Sequence, residues 1–171
     1  MLVVSQLLPQ AGGLAPVLLK RASTLTQDWD TRQKGRFDAE DSLGRRLAVV
    51  LPRGTALRGG AVLVAEGGSL IRVVAQPQPV TVVRTAADGS AFDLLRAAYH
   101  RGNRHVALEL QPDRLQLEPD HVLAEMLRMM GLLVSDELAA FEPEGGAYAA
   151  HGSPRAGRAH SHGDGVMHVH A

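Results

Sequence analysis

The sequence predicts an α+β chain with two compact units and a polar tail, and three observations carry that reading. Short valine-, leucine- and isoleucine-rich runs, cut by glycine and proline, fill residues 1 to 77. From Val80 onward, strand-like alternation and helix-like spacing follow one another. After about Glu144 the residues are glycine, alanine, histidine and serine, a composition unable to bury a core.

In the first unit, Leu2 to Leu8, Arg45 to Leu51, Ala61 to Ala65 and Leu70 to Ala75 have the composition of strands. Pro52-Arg53-Gly54, Gly59-Gly60 and Gly67-Gly68 supply turns between them. None of the apolar runs is long enough to argue for a helix, so residues 1–77 are expected to form an all-β domain. Gln76-Pro77-Gln78-Pro79 has the composition of a linker, because proline stiffens the chain and removes amide donors.

The second unit, residues 78–147, opens with a strand over Val80 to Arg84. Ser90 offers an N-cap with Asp93 three residues on, which starts a helix reaching about Arg101 with Phe92, Leu95 and Tyr99 on one stripe. Gly102 suits the left-handed position that ends a helix. Arg104 to Leu110 then alternates, with Val106, Leu108 and Leu110 on one side and His105, Ala107 and Glu109 on the other. Pro112-Asp113 turns the chain into a strand over Arg114 to Glu118. A second helix spans about Asp120 to Met130, with Val122, Leu123, Met126, Leu127 and Met130 at helical spacing and Gly131 behind it. Leu132 to Ser135 supplies a last strand. The order β-α-β-β-α-β is that of a ferredoxin-like domain, with both helices on one face of a four-stranded antiparallel sheet and the other face left for a partner. Residues 148–171 are expected to form a disordered, histidine-rich tail.

Units this small bury only modest cores, which favours docking on a second copy. Eighteen lysines and arginines balance eighteen aspartates and glutamates, so no long-range field favours nucleic acid. The absence of cysteine excludes disulfides, thiolate metal sites and a thiol nucleophile. The N-terminal stretch has no basic region before its apolar residues and Pro9 stops it, so a cytoplasmic protein is expected. No apolar run approaches the roughly 20 residues of a membrane span.

Metal chemistry is then left to imidazole, carboxylate and backbone. His151, His160, His162, His168 and His170 are five of the eight histidines and fall in the tail, the kind of tract that binds metal. The spaced pairs His160-Ser161-His162 and His168-Val169-His170 do not resemble a purification tag, although a merely solvated end would share the composition. Imidazole suits nickel, copper and zinc alike, so the tail does not name the ion.

His105 lies by alternation on the sheet face opposite Val106, Leu108 and Leu110. An ordinary exposed histidine would read the same way. In a two-fold dimer joined through that face, both copies of His105 could share one ion and leave its shell open for further ligands, such as tail histidines. His121 begins the second helix beside Asp120, where the dipole disfavours imidazolium and suits a neutral ligand; a surface residue beside a cap is the alternative. His100 closes the first helix, a place that suits a structural histidine better than a ligand.

There is no H-E-x-x-H, no G-x-S-x-G and no G-x-x-x-x-G-K-[ST], so zincin, α/β-hydrolase and P-loop chemistry find no support. Leu57-Arg58-Gly59-Gly60 reads only as a turn. Val80 to Arg84 and Arg104 to Leu110 carry no stacking aromatics for single-stranded RNA. A metal-dependent hydrolase finds little support, since no general base stands beside a metal site.

Leu51-Pro52-Arg53-Gly54, Leu57-Arg58-Gly59-Gly60-Ala61-Val62-Leu63, Tyr99-His100-Arg101-Gly102-Asn103-Arg104-His105-Val106, Asp120-His121-Val122-Leu123 and Phe141-Glu142-Pro143-Glu144-Gly145-Gly146-Ala147-Tyr148 follow one another along the chain. This series resembles UreE-type urease accessory proteins, over nearly the whole length. The resemblance implies a homodimeric carrier of Ni(II), which is its cargo, with an N-terminal β domain, a ferredoxin-like metal-binding domain and a histidine-rich tail. It implies delivery to apo-urease together with the urease accessory GTPase, in another chain, which agrees with the lack of a P-loop here. His105 matches the interfacial nickel ligand, His121 a second, peripheral ligand, and His100 a histidine of uncertain role. Pro119 stands where some members carry a further histidine, Ala61 replaces a frequent aspartate, and the tail is sparser in histidine than the richest members. Zn(II) or Cu(II) as cargo, a metal-bridged tetramer, and a scaffolding or storage role in the maturation complex stay open beside this reading.

Overall fold

The computed structural model describes residues 1–102 and 106–145, with the backbone alone at residues 101 and 102. Two sheets divide the chain. The first contains β1 (Leu2–Leu8), β2 (Ser23–Gln27), β3 (Arg36–Glu40), β4 (Arg46–Val50), β5 (Val62–Ala65) and β6 (Leu70–Ala75), in the order β2-β6-β5-β1-β4-β3. The pairs β1/β4 and β2/β6 are parallel, with Val4 beside Val49 and Leu25 beside Val73. Val4, Leu25, Leu47, Leu57, Leu63 and Ile71 are central to its core.

Four strands therefore lie where the apolar runs put them, and β2 and β3 are additional. Both are sheet edges. Ser-Thr-Leu-Thr-Gln and Arg-Phe-Asp-Ala-Glu each bury at most alternate residues, and charged residues on an edge discourage pairing with other chains. The expectation of an all-β unit is also corrected. Helix α1 (Pro16–Arg21) starts with proline at a position whose amide needs no partner, and α2 (Trp29–Arg32) is one turn capped by Asp28, whose Oδ1 accepts from the amide of Thr31 at 2.9 Å. Neither spans enough residues to show a helical apolar period.

Asp41 ties the loop between β3 and β4. Its buried carboxylate accepts from the amides of Leu43 and Arg45, from the Ser23 hydroxyl at 2.7 Å and from the Arg45 guanidinium. Burial alone would raise its pKa. The hydrogen bonds from Arg45, Ser23 and the two amides overcome that and lower it to about 2.

The second sheet contains β7 (Gln78–Arg84), β8 (Leu108–Gln111), β9 (Arg114–Leu117) and β10 (Leu133–Ala139), all antiparallel, in the order β10-β7-β9-β8. Helix α3 (Ala91–Gly102) joins β7 to β8, and α4 (His121–Met129) joins β9 to β10. The expected linker shrinks at its far end, because Gln78 and Pro79 already pair with Ala139 and Leu138. Strand β9 pairs with β7 only from Thr81 onward, so the missing amide hydrogen of Pro79 costs no ladder bond on that side.

Capping follows the sequence. Asp93 accepts from the amide of Ser90 at 2.9 Å, Asp120 Oδ1 accepts from the amides of Val122 and Leu123, and Gly131, at φ +82°, ends α4 in the left-handed region. The α3 helix runs on through Gly102, one residue past the expected stop. Its buried side is also not the expected one. Leu94 and Ala97 enter the core with Val83, Leu115, Leu117, Leu123 and Leu127, while Phe92, Leu95 and Tyr99 stay 61 %, 62 % and 69 % exposed. Alanine lets α3 approach the sheet closely, which turns the larger side chains outward.

The sheet face away from the helices is not left open either. Val80 and Val82 project from it and are covered by Trp29 and Phe141, whose rings meet edge to face at 6.3 Å. Ala56 and Ala107 border this cluster, so the first unit docks on the second through it. Among the described residues no helix is long and apolar enough to cross a membrane.

Candidate metal centre

The histidines singled out in the sequence fall in two groups. His105 and the tail residues His151, His160, His162, His168 and His170 lie outside the described residues. His100 and His121 lie within them, and both are exposed. His100 stands near the end of α3 with its ring edge-on to Tyr99 at 5.5 Å. His121 is the first residue of α4, beside an aspartate that caps the helix. Among the described residues no three of histidine, aspartate and glutamate converge as a ligand set, so neither histidine belongs to one there.

The chain beyond His105 is described from Val106, and strand β8 begins only at Leu108. Val106 packs with Leu108 on the helix side, and Ala107 packs with Trp29 and Phe141 on the other. The carboxylate of Glu109 accepts from the amide of Glu142 at 2.6 Å. The amide of Glu144 donates to the carbonyl of Leu108 at 2.8 Å. Residues 142 to 144 thus lie along β8.

A buried arginine holds that segment. Arg32 is 0 % exposed; its Nη1 donates to Glu142 Oε1 at 2.7 Å and to the carbonyl of Leu57, its Nη2 to the carbonyl of Phe141 at 2.6 Å, and its Nε to the carbonyl of Gln27. Burial lowers the Arg32 pKa from its ordinary value, and the charge of Glu142 works against that. Glu142 Oε1 also accepts from the amide of Gly59 at 2.8 Å, and Oε2 from Arg58 at 3.3 Å. The guanidiniums of Arg32 and Arg58 lie 5.3 and 5.0 Å from the centre of the Trp29 ring, and Gln78 accepts from the Trp29 amide at 2.7 Å.

Sequence reasoning missed this clasp. Leu57-Arg58-Gly59-Gly60 is more than a turn, since the Gly59 amide binds a carboxylate from far along the chain. The one available signal was the presence of Phe141-Glu142 and Leu57-Arg58-Gly59-Gly60 in the same resemblance.

Both halves of the molecule match described families. Residues 4–76 match the N-terminal domain, and residues 78–170 the C-terminal domain, of the UreE urease accessory protein. The chain belongs to the UreE family. Similar curated proteins, each described as a urease accessory protein UreE, include one from Methylibium petroleiphilum, 69 % identical over 89 % of this chain and 72 % of its own length. One from Polaromonas naphthalenivorans is 66 % identical over 89 % of this chain and 74 % of its own. One from Albidiferax ferrireducens is 60 % identical over 99 % and 95 %. As a UreE-family member the chain is a urease maturation factor, an accessory chaperone and not an enzyme.

Proposed function

We propose that this UreE-family chain is a homodimeric carrier that delivers Ni(II) to apo-urease, working in the cytoplasm with the urease accessory GTPase. In this reading residues 1–77 and 78–147 are two domains, the second ferredoxin-like, and residues 148–171 a metal-collecting tail. The strand order β10-β7-β9-β8, with two helices on one face, supports the ferredoxin-like assignment. His105 is the essential ligand, shared by two copies at a symmetry axis. His151, His160, His162, His168 and His170 raise the local supply, His121 is a peripheral ligand, and His100 is the remaining candidate.

The observation that carries the dimer is the outward stripe Phe92, Leu95 and Tyr99 on α3, the helix that leads directly into the segment holding His105. Three large apolar side chains in a row are costly in water and suited to a second copy of the same helix. The test is titration of the full chain with Ni(II) by calorimetry. His105→Ala is expected to lose the tightest site, and an unchanged tightest site removes His105 from that role.

A second reading, a scaffold of the urease maturation complex that stores metal, is favoured by the clustering of five histidines in the tail. Zn(II) or Cu(II) would satisfy the same ligands. Replacing the five tail histidines by alanine separates the readings. Urease activation that persists at limiting nickel assigns delivery to the folded site, and activation that fails while the complex still assembles assigns it to the tail.

A further inference from the structure

We propose that the Arg32–Glu142–Glu109 clasp positions the root of the histidine-bearing tail against β8, which makes the N-terminal unit a working part of metal capture. This rests on the reading of the tail as a metal collector.

The geometry gives the root a place. The Glu142 amide donates to the Glu109 carboxylate and the Glu144 amide to the Leu108 carbonyl, so residues 142 to 144 are held beside the start of β8. His105 precedes Leu108 by three, at most about 11 Å of extended chain. The groups that grip the Phe141 carbonyl and the Glu142 carboxylate, the Arg32 and Arg58 guanidiniums and the Gly59 amide, come from the N-terminal unit, whereas β8 holds the segment's amides. The covalent link to β10 would hold the tail without them. A buried ion pair is also a poor stabiliser beside apolar packing of the same volume, whereas its directional bonds fix one register.

Anchorage at Glu144 leaves seven residues to His151, the first tail histidine. Release back to Ala139, the end of β10, leaves twelve. Effective concentration falls as about the −3/2 power of tether length, so release costs an about twofold loss of the tail's contribution from length alone.

The experiment is Ni(II) titration of the full chain in two backgrounds, with the tail histidines native and with all five replaced by alanine. The ratio of the two affinities measures the tail's contribution. Glu142→Ala and Glu109→Ala are expected to lower that ratio at least twofold, to leave affinity in the histidine-free background unchanged, and Glu142→Gln, which keeps an acceptor oxygen, to restore it. Far-ultraviolet circular dichroism identifies the folded variants. Glu109→Ala removes only the acceptor of the Glu142 amide and of the neighbouring Gln111 side chain, so it carries the test if Glu142→Ala does not fold. Equal losses in both backgrounds, or an unchanged ratio above one, overturn the clasp proposal alone. A ratio of one in the unsubstituted chain overturns the tail reading first, and the clasp proposal with it.

Discussion

The amide of Gly59 and the Oε1 atom of Glu142 are 2.8 Å apart, and a methyl group on residue 59 would stand 3.1 Å from that same oxygen. Glycine is favoured here by close approach. Gly59→Ala is expected to push the carboxylate by a few tenths of an ångström and to cost about 1 kcal/mol, read from the urea midpoint.

Arg32→Met removes the charge from a fully buried site while keeping most of its volume. The carbonyls of Leu57 and Phe141 then lose the Arg32 donor, that of Gln27 keeps only the amide of Gln76, and Glu142 keeps only Arg58, at 3.3 Å, as a cation. Glu142 is 27 % exposed and water can partly replace the lost cation, so a destabilisation of about 3 kcal/mol is expected, at the lower end of the range for breaking a buried pair. The double variant with Glu142→Gln should cost less than the sum of the single ones, by about 1 kcal/mol or more in a double-mutant cycle.

Asp41 makes stability depend on acid. Its pKa is lowered in the folded chain from 3.8 to about 2, so its contribution is fully present above about pH 4 and is lost as pH falls toward 2. Urea unfolding at pH 5 and pH 2 should show about 2 kcal/mol of pH-dependent stability that Asp41→Asn lacks.

Leu95→Glu tests the outward stripe of α3. The side chain is exposed within the single chain, so unfolding of the monomer should change by no more than about 0.5 kcal/mol. Light scattering after gel filtration should show the mass fall from dimer to monomer. A dimer that persists would place the interface elsewhere.

Imidazole coordinates metal only when neutral, so nickel binding by the full chain should weaken as pH falls through about 6.5. Equal metal retention at pH 5 and pH 8 would argue against histidine ligation.

The apolar runs were enough to locate β1, β4, β5 and β6, and the capping residues Ser90, Asp93, Asp120 and Gly131 to locate both longer helices. The edge strands β2 and β3 escaped because half their side chains face water and their backbones, not their side chains, define them. On α3 the larger residues were mistaken for the buried ones. Burial there is decided by how close the helix must come to the sheet, which selects Ala97 over Leu95. The clasp was unreadable because it joins Arg32 to Glu142, 110 residues apart, and no local pattern encodes a pairing at that distance.

Trp29 and Arg32 belong to the early part of the chain, yet Phe141 and Glu142, which cover and neutralise them, are made close to its end. During synthesis the first sheet can assemble once β6 has left the ribosome, but Phe141 and Glu142 follow only about 65 residues later. A product cut short before residue 141 would leave Arg32 without its Phe141 and Glu142 acceptors and Trp29 without the Phe141 ring. Only a polypeptide that extends through Glu142 can close the joint between its halves in full.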